Sequence, residues 1–273
     1  MSVFVPWLEA LGAGALAFSA FFLGRQFSRF PGKYWLIGYV IPLFLILLFS
    51  VALFEPRVAM APPITWMVGR SRFVCFGFAA IMMLSALLAR LPKKQTRVVL
   101  CLLALVIGCV SVLPFAGPVI NRADLAALQT RVDADGICRQ SNEYTCGPAA
   151  AVTVLRKLGL NAEEGEIAIL ARSCAMVGTD PDVLARALQK RYGGEGIVVE
   201  YRSFNKAEEL KSSGLTIAVV AFNAMQDHCV AILGMEANQV RIGDPLSGLS
   251  LMPVEEFEKN WQFVGIVVRR GPR

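Results

Sequence analysis

The sequence has 273 residues, 55% of them hydrophobic, and its mean hydropathy of +0.54 is too apolar for an ordinary soluble protein. Its formal net charge of +6 is uneven: residues 1–131 hold 12 Lys and Arg against 3 Asp and Glu, and residues 132–273 hold 15 against 18. No basic run with interleaved aromatics occurs. The positive excess therefore indicates cytoplasmic loops of a membrane region, and nucleic acid is excluded as a partner.

Four apolar stretches fill the first 120 residues and predict an all-α bundle of about four transmembrane helices. Crossing a bilayer takes roughly 17–25 apolar residues. The first stretch carries Glu9 and several glycines, and whether it spans the membrane is left open. It is not a typical secretory signal, because no positive residue precedes its apolar run. The four stretches are residues 7–24, 34–54, 73–89 and 98–120.

Basic residues in the connecting loops predict the orientation of these helices. Seven lie in the first and third loops, and four lie on the other side. The positive-inside rule then places the first and third loops in the cytoplasm. Everything after residue 120 would be periplasmic or extracellular, in a multi-pass protein of the inner (cell) membrane. The seven are Arg25, Arg29, Lys33, Arg90, Lys93, Lys94 and Arg97, and the four are Arg57, Arg70, Arg72 and Arg122.

After a linker at residues 121–131, the pattern of residues 132–273 is that of a water-soluble domain. Apolar residues recur first at helical spacing and later in β-type runs. Helices followed by antiparallel strands indicate the α+β class, and about 140 residues suffice to bury a core. The predicted helices are 146–158, 163–171, 181–192, 206–211 and 254–261. The predicted strands are 197–201, 215–222, 229–235, 239–242 and 263–268.

Cys146 is the first candidate for chemistry, because it stands where a loop turns into a helix. Gly147 and Pro148 suit a helix start, since the first turn has no use for the N–H that proline lacks. The partial positive charge of a helix N-terminus stabilises a thiolate. The alternative is a buried, inert structural cysteine.

His228 is the only histidine in the chain, so any catalytic imidazole must be this one. It begins an apolar strand, and Asp244 ends the next one. A hairpin through residues 236–238 would bring Asp244 beside His228, where an acid can orient an imidazole toward a thiol. A structural histidine and a turn aspartate, in Asp-Pro-Leu-Ser-Gly, are the alternatives.

Gln140 precedes Cys146 by six residues. Its side-chain amide and the Cys146 backbone N–H could form an oxyanion hole. The alternative is an exposed loop glutamine.

The ordered set Gln140-x5-Cys146-Gly-x-Ala, Gly178-Thr179, His228 and Gly243-Asp244-Pro245 resembles the bacteriocin-processing, double-glycine leader peptidase family. The resemblance covers about residues 133–268. It implies a papain-like fold, with Cys146 as nucleophile, His228 as general base, Asp244 as orienter and Gln140 in the oxyanion hole. It also implies cleavage after a Gly-Gly pair in a secreted precursor, beside a secretion or export system.

The chain departs from this family in two ways. Thr145 stands where the family has Asp, and the domain follows the membrane region rather than preceding it. No Walker A motif occurs, so ATP-driven export by this chain is not expected. Two other functions remain open: another thiol acyl transfer on the same fold, and a non-catalytic adaptor that binds a leader or client. A channel formed by the helices is disfavoured, because they contain few central polar residues. Substrate, export partner and oligomeric state stay open.

No cofactor and no metal site are expected, because no CxxC or Cys/His metal spacing occurs. Cys229 should point away from His228 into the core, since neighbouring strand residues face opposite sides. Cys138 and Cys174 could form a disulfide in an oxidising compartment.

Overall fold

A computed structural model describes residues 4–54, 70–223 and 226–271. Within it the chain divides into two compact units, Met1–Ile120 and Asn121–Arg273. Arg57, which was counted for the orientation, lies outside the described residues. The first unit contains helices, and the second contains helices and strands.

The described parts of the first unit, residues 4–54 and 70–120, are mostly helical. Small residues of the first helix, such as Ala13, Ala17 and Ala20, are buried, whereas Leu11 and Phe18 are exposed. Small contact faces let helix backbones approach closely, as in membrane bundles. The helices are α1 Phe4–Phe27, α2 Val40–Phe54, α3 Ser71–Leu87, α4 Lys93–Leu105 and α5 Leu113–Ile120, with a 3₁₀ segment Tyr34–Tyr39 and a π-helical segment Val106–Val112.

Within the described residues, four helical segments are long and apolar enough to cross a membrane, by length and composition. They are compatible with the predicted membrane bundle. The segments are Val5–Phe27, Tyr34–Val51, Arg72–Arg90 and Lys93–Ala126.

The second unit begins with helices and continues with an antiparallel sheet, so the predicted α+β class is confirmed. The helices are α6 Arg122–Ala126, α7 Cys146–Lys157, α8 Glu164–Leu170, α9 Pro181–Tyr192, α10 Leu210–Ser213 and α11 Val254–Asn260. The strands are β1 Arg131–Val132, β2 Cys138–Arg139, β3 Ile197–Ser203, β4 Leu215–Asn223, β5 Gln226–Glu236, β6 Gln239–Asp244, β7 Gly248–Pro253 and β8 Trp261–Arg270. β1 pairs with β2, and the six-stranded sheet has the order β3-β8-β4-β5-β6-β7.

The central helix α7 is buried along most of its length and packs against the sheet, mainly on β5. Nine successive residues from Gly147 to Leu155 are buried. Gly147 is needed at its start, since a Cβ there would lie 3.2 Å from side-chain atoms of Thr179 and Leu184. This packing fixes the N-terminus of α7, and with it Cys146, against the sheet.

Strand β7 was missed by the sequence analysis. It is an edge strand that pairs with β6 from Gln239↔Pro253 to Asp244↔Gly248. The sequence did not predict this strand because turn residues precede it and a proline ends it. An edge strand nevertheless tolerates proline. Residues 121–131, predicted as a linker, belong to the second unit and include α6 and the first residue of β1.

Candidate active site

Cys146 is the first residue of α7 and is half-buried. The loop before it is closed by reciprocal bonds between Asn142 and Thr145. The Asn142 N–H donates to Thr145 Oγ1 at 3.1 Å, and Thr145 Oγ1 donates to the Asn142 carbonyl at 3.0 Å. Ala149 N–H then donates to the Thr145 carbonyl, which starts the helix. Thr145, the departure from the resembled family, thus shapes the turn that presents the cysteine.

His228 and Asp244 are brought together by the predicted β5–β6 hairpin, in which Ala231 pairs with Gly243. His228 Nε2 lies 2.7 Å from Asp244 Oδ1. Asp244 also accepts hydrogen bonds from the Leu246 N–H and from Ser247 Oγ, each at 2.8 Å. Because Nε2 is used by the carboxylate, the other ring nitrogen, Nδ1, is left for the thiol.

The pKa values of this pair move apart. Burial would raise the pKa of Asp244, but hydrogen bonds from His228, Leu246 and Ser247 outweigh it and lower the pKa to about 2. Burial likewise opposes protonation of His228, yet hydrogen bonds with Asp244 and Cys146 raise its pKa to about 9. The geometry therefore favours an imidazolium beside a carboxylate.

The Cys146 thiol has a pKa well below its ordinary value. The largest cause is a hydrogen bond from Cys229; burial opposes it, and the hydrogen bond and charge of His228 lower the pKa further. The pKa of Cys229 is raised, first by its bond to Cys146 and then by burial. Together these shifts favour a thiolate on Cys146 and a neutral thiol on Cys229.

Cys229 is buried, as predicted, but its interaction with Cys146 was not expected from the sequence. Alternation along β5 does place Cys229 and His228 on opposite faces. However, β6 pairs with β5 only from Ala231 onward. Cys146 interacts with both side chains and with the backbone of Cys229, which lies before the part of β5 that pairs with β6.

Gln140 is fixed by hydrogen bonds from both its backbone and its side chain. Its backbone N–H donates to the Pro245 carbonyl at 3.1 Å, and its Nε2 donates to the Asn142 carbonyl at 2.8 Å. Gln140 Oε1 is buried and has no hydrogen-bond partner among the described residues. Nε2 has two hydrogens, so one remains after the bond to Asn142. Among the predicted site residues, Cys146, His228 and Asp244 form a connected chain, and Gln140 joins it through Pro245.

Several contacts of this site had no sequence signal. Ser247 was interpreted only as a turn residue, but its hydroxyl binds Asp244. Thr179 packs on Gly147, and its hydroxyl interacts with Ser173 Oγ at 2.6 Å and with the Tyr144 carbonyl at 3.2 Å. The Gly178-Thr179 motif pointed to this position without showing its contacts.

The remaining cysteines of this unit do not pair. Cys138 and Cys174 are free and buried, so the disulfide considered for them is absent. Burial, followed by the nearby charge of Glu164, raises the pKa of Cys138 to about 12, which makes it inert. Among the described residues, no group of three or more His, Cys, Asp and Glu could hold a metal ion.

Residues 135–273 match the model of the Peptidase C39 family. An uncharacterised protein of Methanothermobacter thermautotrophicus is 28% identical over 149 residues, which are 54% of this chain and 97% of that protein. Another, from Methanothermobacter marburgensis, is 29% identical over 134 residues, or 49% of this chain and 88% of that protein. The family match includes α7 and every strand of the large sheet.

Two solved structures are also similar. A double glycine motif protease from an AMS/PCAT transporter, in complex with the leader peptide, is 19% identical with a TM-score of 0.41, covering 52% of this chain and 92% of that one. The peptidase domain of Streptococcus ComA, a bi-functional ABC transporter, is 23% identical with a TM-score of 0.41, covering 49% and 96%.

Proposed function

The chain belongs to the Peptidase C39 family, and from that premise we propose that it is a membrane-anchored cysteine peptidase that cleaves a secreted precursor after a Gly-Gly leader. Membership confirms the resemblance found in the sequence and the papain-like α+β fold of the second unit. Membership also indicates a cysteine-peptidase fold of the double-glycine type. Activity, anchoring, orientation and the roles of individual residues are part of the proposal.

One observation carries the proposed chemistry: the chain of contacts from the Cys146 thiol to His228 and on to Asp244, with 2.7 Å between Nε2 and Oδ1. The lowered pKa of Cys146 and the raised pKa of His228 favour a thiolate–imidazolium pair near neutral pH. A thiolate is the nucleophilic form of cysteine. Perturbed groups that are arranged in this order are typical of an activated nucleophile.

In the proposed reaction, the Cys146 thiolate attacks the scissile carbonyl carbon. The oxyanion accepts hydrogen bonds from the Cys146 N–H, which lies in the first turn of α7, and from Gln140 Nε2. The His228 imidazolium then gives its proton to the leaving amine, and a thioester forms. His228, now neutral, takes a proton from water, which hydrolyses the thioester. Asp244 keeps the imidazole oriented throughout.

The apolar helices of the first unit would hold the peptidase where precursors cross the membrane. A peptide or protein precursor is the proposed substrate, and an export system that carries it is the proposed partner. The solved neighbours are described as transporter domains, one of them bound to a leader peptide. In this chain the domain that matches the family follows the apolar helices.

The experiment uses the full chain in detergent micelles and a synthetic precursor with a Gly-Gly pair at its leader boundary. Cleavage after the second glycine is expected with the parent and is expected to vanish with Cys146→Ala. A precursor with both glycines changed to alanine tests the specificity. Binding of the precursor without cleavage by the parent would favour a leader-binding adaptor. Cleavage of both precursors would retain the chemistry and overturn the Gly-Gly preference.

A further inference from the structure

Glu164 is a fully buried acidic side chain that the proposed reaction does not use. One of its carboxyl oxygens accepts the backbone N–H of Ser141 at 2.9 Å, and the other accepts Ser141 Oγ at 2.7 Å. Ser141 directly follows Gln140. A buried carboxyl group is unfavourable unless it is hydrogen-bonded, and here both oxygens are used on one residue of the loop. Glu164 therefore fixes the backbone next to Gln140.

The segment before the family match takes part in the same contact. The Glu164 backbone N–H donates to Thr130 Oγ1 at 2.8 Å, and Ser141 Oγ lies 3.3 Å from the Gln129 carbonyl. Gly165 is closely covered, since a Cβ there would lie 2.4 Å from the Leu125 carbonyl oxygen. Residues 125–130 precede the matched range, which begins at residue 135. They are thus packed onto Glu164 and its loop instead of forming a free tether.

We propose that Glu164 is a positioning residue that sets the place of the Gln140 amide. Gln140 is held from one side by the Pro245 carbonyl and from the other through Ser141, whose two donors are bound by Glu164. Residues 125–130 hold Glu164 in turn, so the segment that leads from the apolar helices supports the oxyanion loop. This inference rests on the oxyanion role given to Gln140 in the proposed function.

Glu164→Gln tests the inference, because glutamine keeps the size of the side chain. Its amide N–H would face one of the two donors of Ser141, so that hydrogen bond would be lost. Glu163→Gln is the matched control: Glu163 is the neighbouring residue, is about half exposed, and pairs with Arg156 at 3.2 Å. Ser141→Ala is the second variant, since it removes only the hydroxyl. Each full-length variant is purified in detergent, and its thermal unfolding is compared with that of the parent.

Two acyl donors are used: a leader peptide ending in Gly-Gly-aminomethylcoumarin and, as a leader-independent probe, p-nitrophenyl acetate. Glu164→Gln should lower kcat, or the rate of acylation, by about tenfold to a hundredfold with little change in KM, the loss typical of a displaced catalytic group. Ser141→Ala should show a smaller loss, and Glu163→Gln none. Alkylation of Cys146 by iodoacetamide should be unchanged in all three, because it needs no oxyanion hole.

A double-variant comparison separates positioning from a general loss of structure. Glu164→Gln combined with Gln140→Ala should be no slower than Gln140→Ala alone, because both act on one interaction. Three results would each overturn the inference. The losses of the two single variants could multiply in the double variant, Glu164→Gln could keep the parental kcat, or alkylation of Cys146 could slow together with cleavage. If Gln140→Ala itself keeps the parental rate, the oxyanion role of Gln140 in the proposed function is wrong. The inference about Glu164 then fails as well, and this result distinguishes that failure from an error in the role of Glu164 alone.

Discussion

The backbone N–H of Gln140 donates a hydrogen bond to the carbonyl oxygen of Pro245, with an N···O distance of 3.1 Å. Pro245 directly follows Asp244, the acid that contacts His228 at 2.7 Å. This backbone contact ties the loop before Cys146, the proposed nucleophile, to the turn that contains Asp244, the proposed orienter of His228. The two loops are far apart in the sequence, so their relative position depends on the complete fold of the domain.

Gln140→Ala should leave the domain folded and slow cleavage by about 10²–10³, the usual loss for one oxyanion donor. Folding is preserved because the tether to Pro245 uses the backbone N–H, which alanine retains. The measurement is kcat for the Gly-Gly precursor, with thermal unfolding as the folding control. The double change Cys146→Ala with Gln140→Ala should be no worse than Cys146→Ala alone. A parental kcat in the single variant would exclude Gln140 from the oxyanion hole.

The pH dependence of kcat/KM should be bell-shaped. Below the lowered pKa of Cys146 the thiol is protonated and unreactive. Above about pH 9, the pKa of His228, the imidazolium loses the proton that the leaving amine needs. Iodoacetamide alkylation should share the ascending limb and lack the descending one, since it needs a thiolate but no acid. A profile that only rises, up to the pKa of a free thiol, would contradict the thiolate–imidazolium pair.

Much of this site follows from local signals in the sequence. Gly147 and Pro148 mark the start of α7, and strand alternation around a short turn predicts the hairpin that joins His228 to Asp244. The α+β class follows because the three longest helical patterns of the domain precede its β-type runs. These features depend on residues that are close along the chain.

Other features depend on where distant segments end in space. Cys229 interacts with Cys146, which lies on another element, and alternation along β5 gives no indication of this contact. Glu164 binds Ser141, which is 23 residues earlier, and its N–H binds Thr130, which is 34 residues earlier. A glutamate at the start of a helix has an ordinary local explanation, so nothing in its surroundings indicated burial.

Asp244→Asn should move the descending limb of the pH profile below pH 9. The hydrogen bond and charge of Asp244 raise the pKa of His228, and asparagine keeps an acceptor while removing the charge. The rate at neutral pH should fall less than in Cys146→Ala, because the nucleophile and the base remain. Ser247→Ala is the milder companion: it removes one bond that holds the pKa of Asp244 low and leaves the charge in place. If the descending limb of the pH profile does not move in Asp244→Asn, Asp244 does not act on His228 and is only a turn residue.

Cys229→Ala should raise the pKa of Cys146, because the hydrogen bond from Cys229 is the largest cause of its lowering. The midpoint of the pH dependence of iodoacetamide alkylation should shift upward. Cys138→Ala is the matched control, since Cys138 is also buried and has a pKa of about 12. An unchanged midpoint in Cys229→Ala would mean that His228 alone stabilises the thiolate.

The peptidase domain should lie outside the cytoplasm. The prediction follows from the excess of Lys and Arg in the first and third loops and from four candidate spans. Alkaline phosphatase, which is active only in the periplasm, should be active when fused after Arg273, and green fluorescent protein fused there through the general secretory route should stay dark. A second fusion after Arg29, in the first loop, should give the opposite result.

Neutralising Lys93, Lys94 and Arg97 with glutamine tests the cause, because it reduces the bias from seven against four to four against four. The variant should show both reporters partly active at the Arg273 position. If the parent instead shows cytoplasmic activity there, the fusion after Arg29 separates two errors. A periplasmic first loop would mean that the whole orientation is inverted. A cytoplasmic first loop would mean that an even number of the three later segments crosses, so at least one of the segments 34–54, 73–89 and 98–120 does not span the membrane.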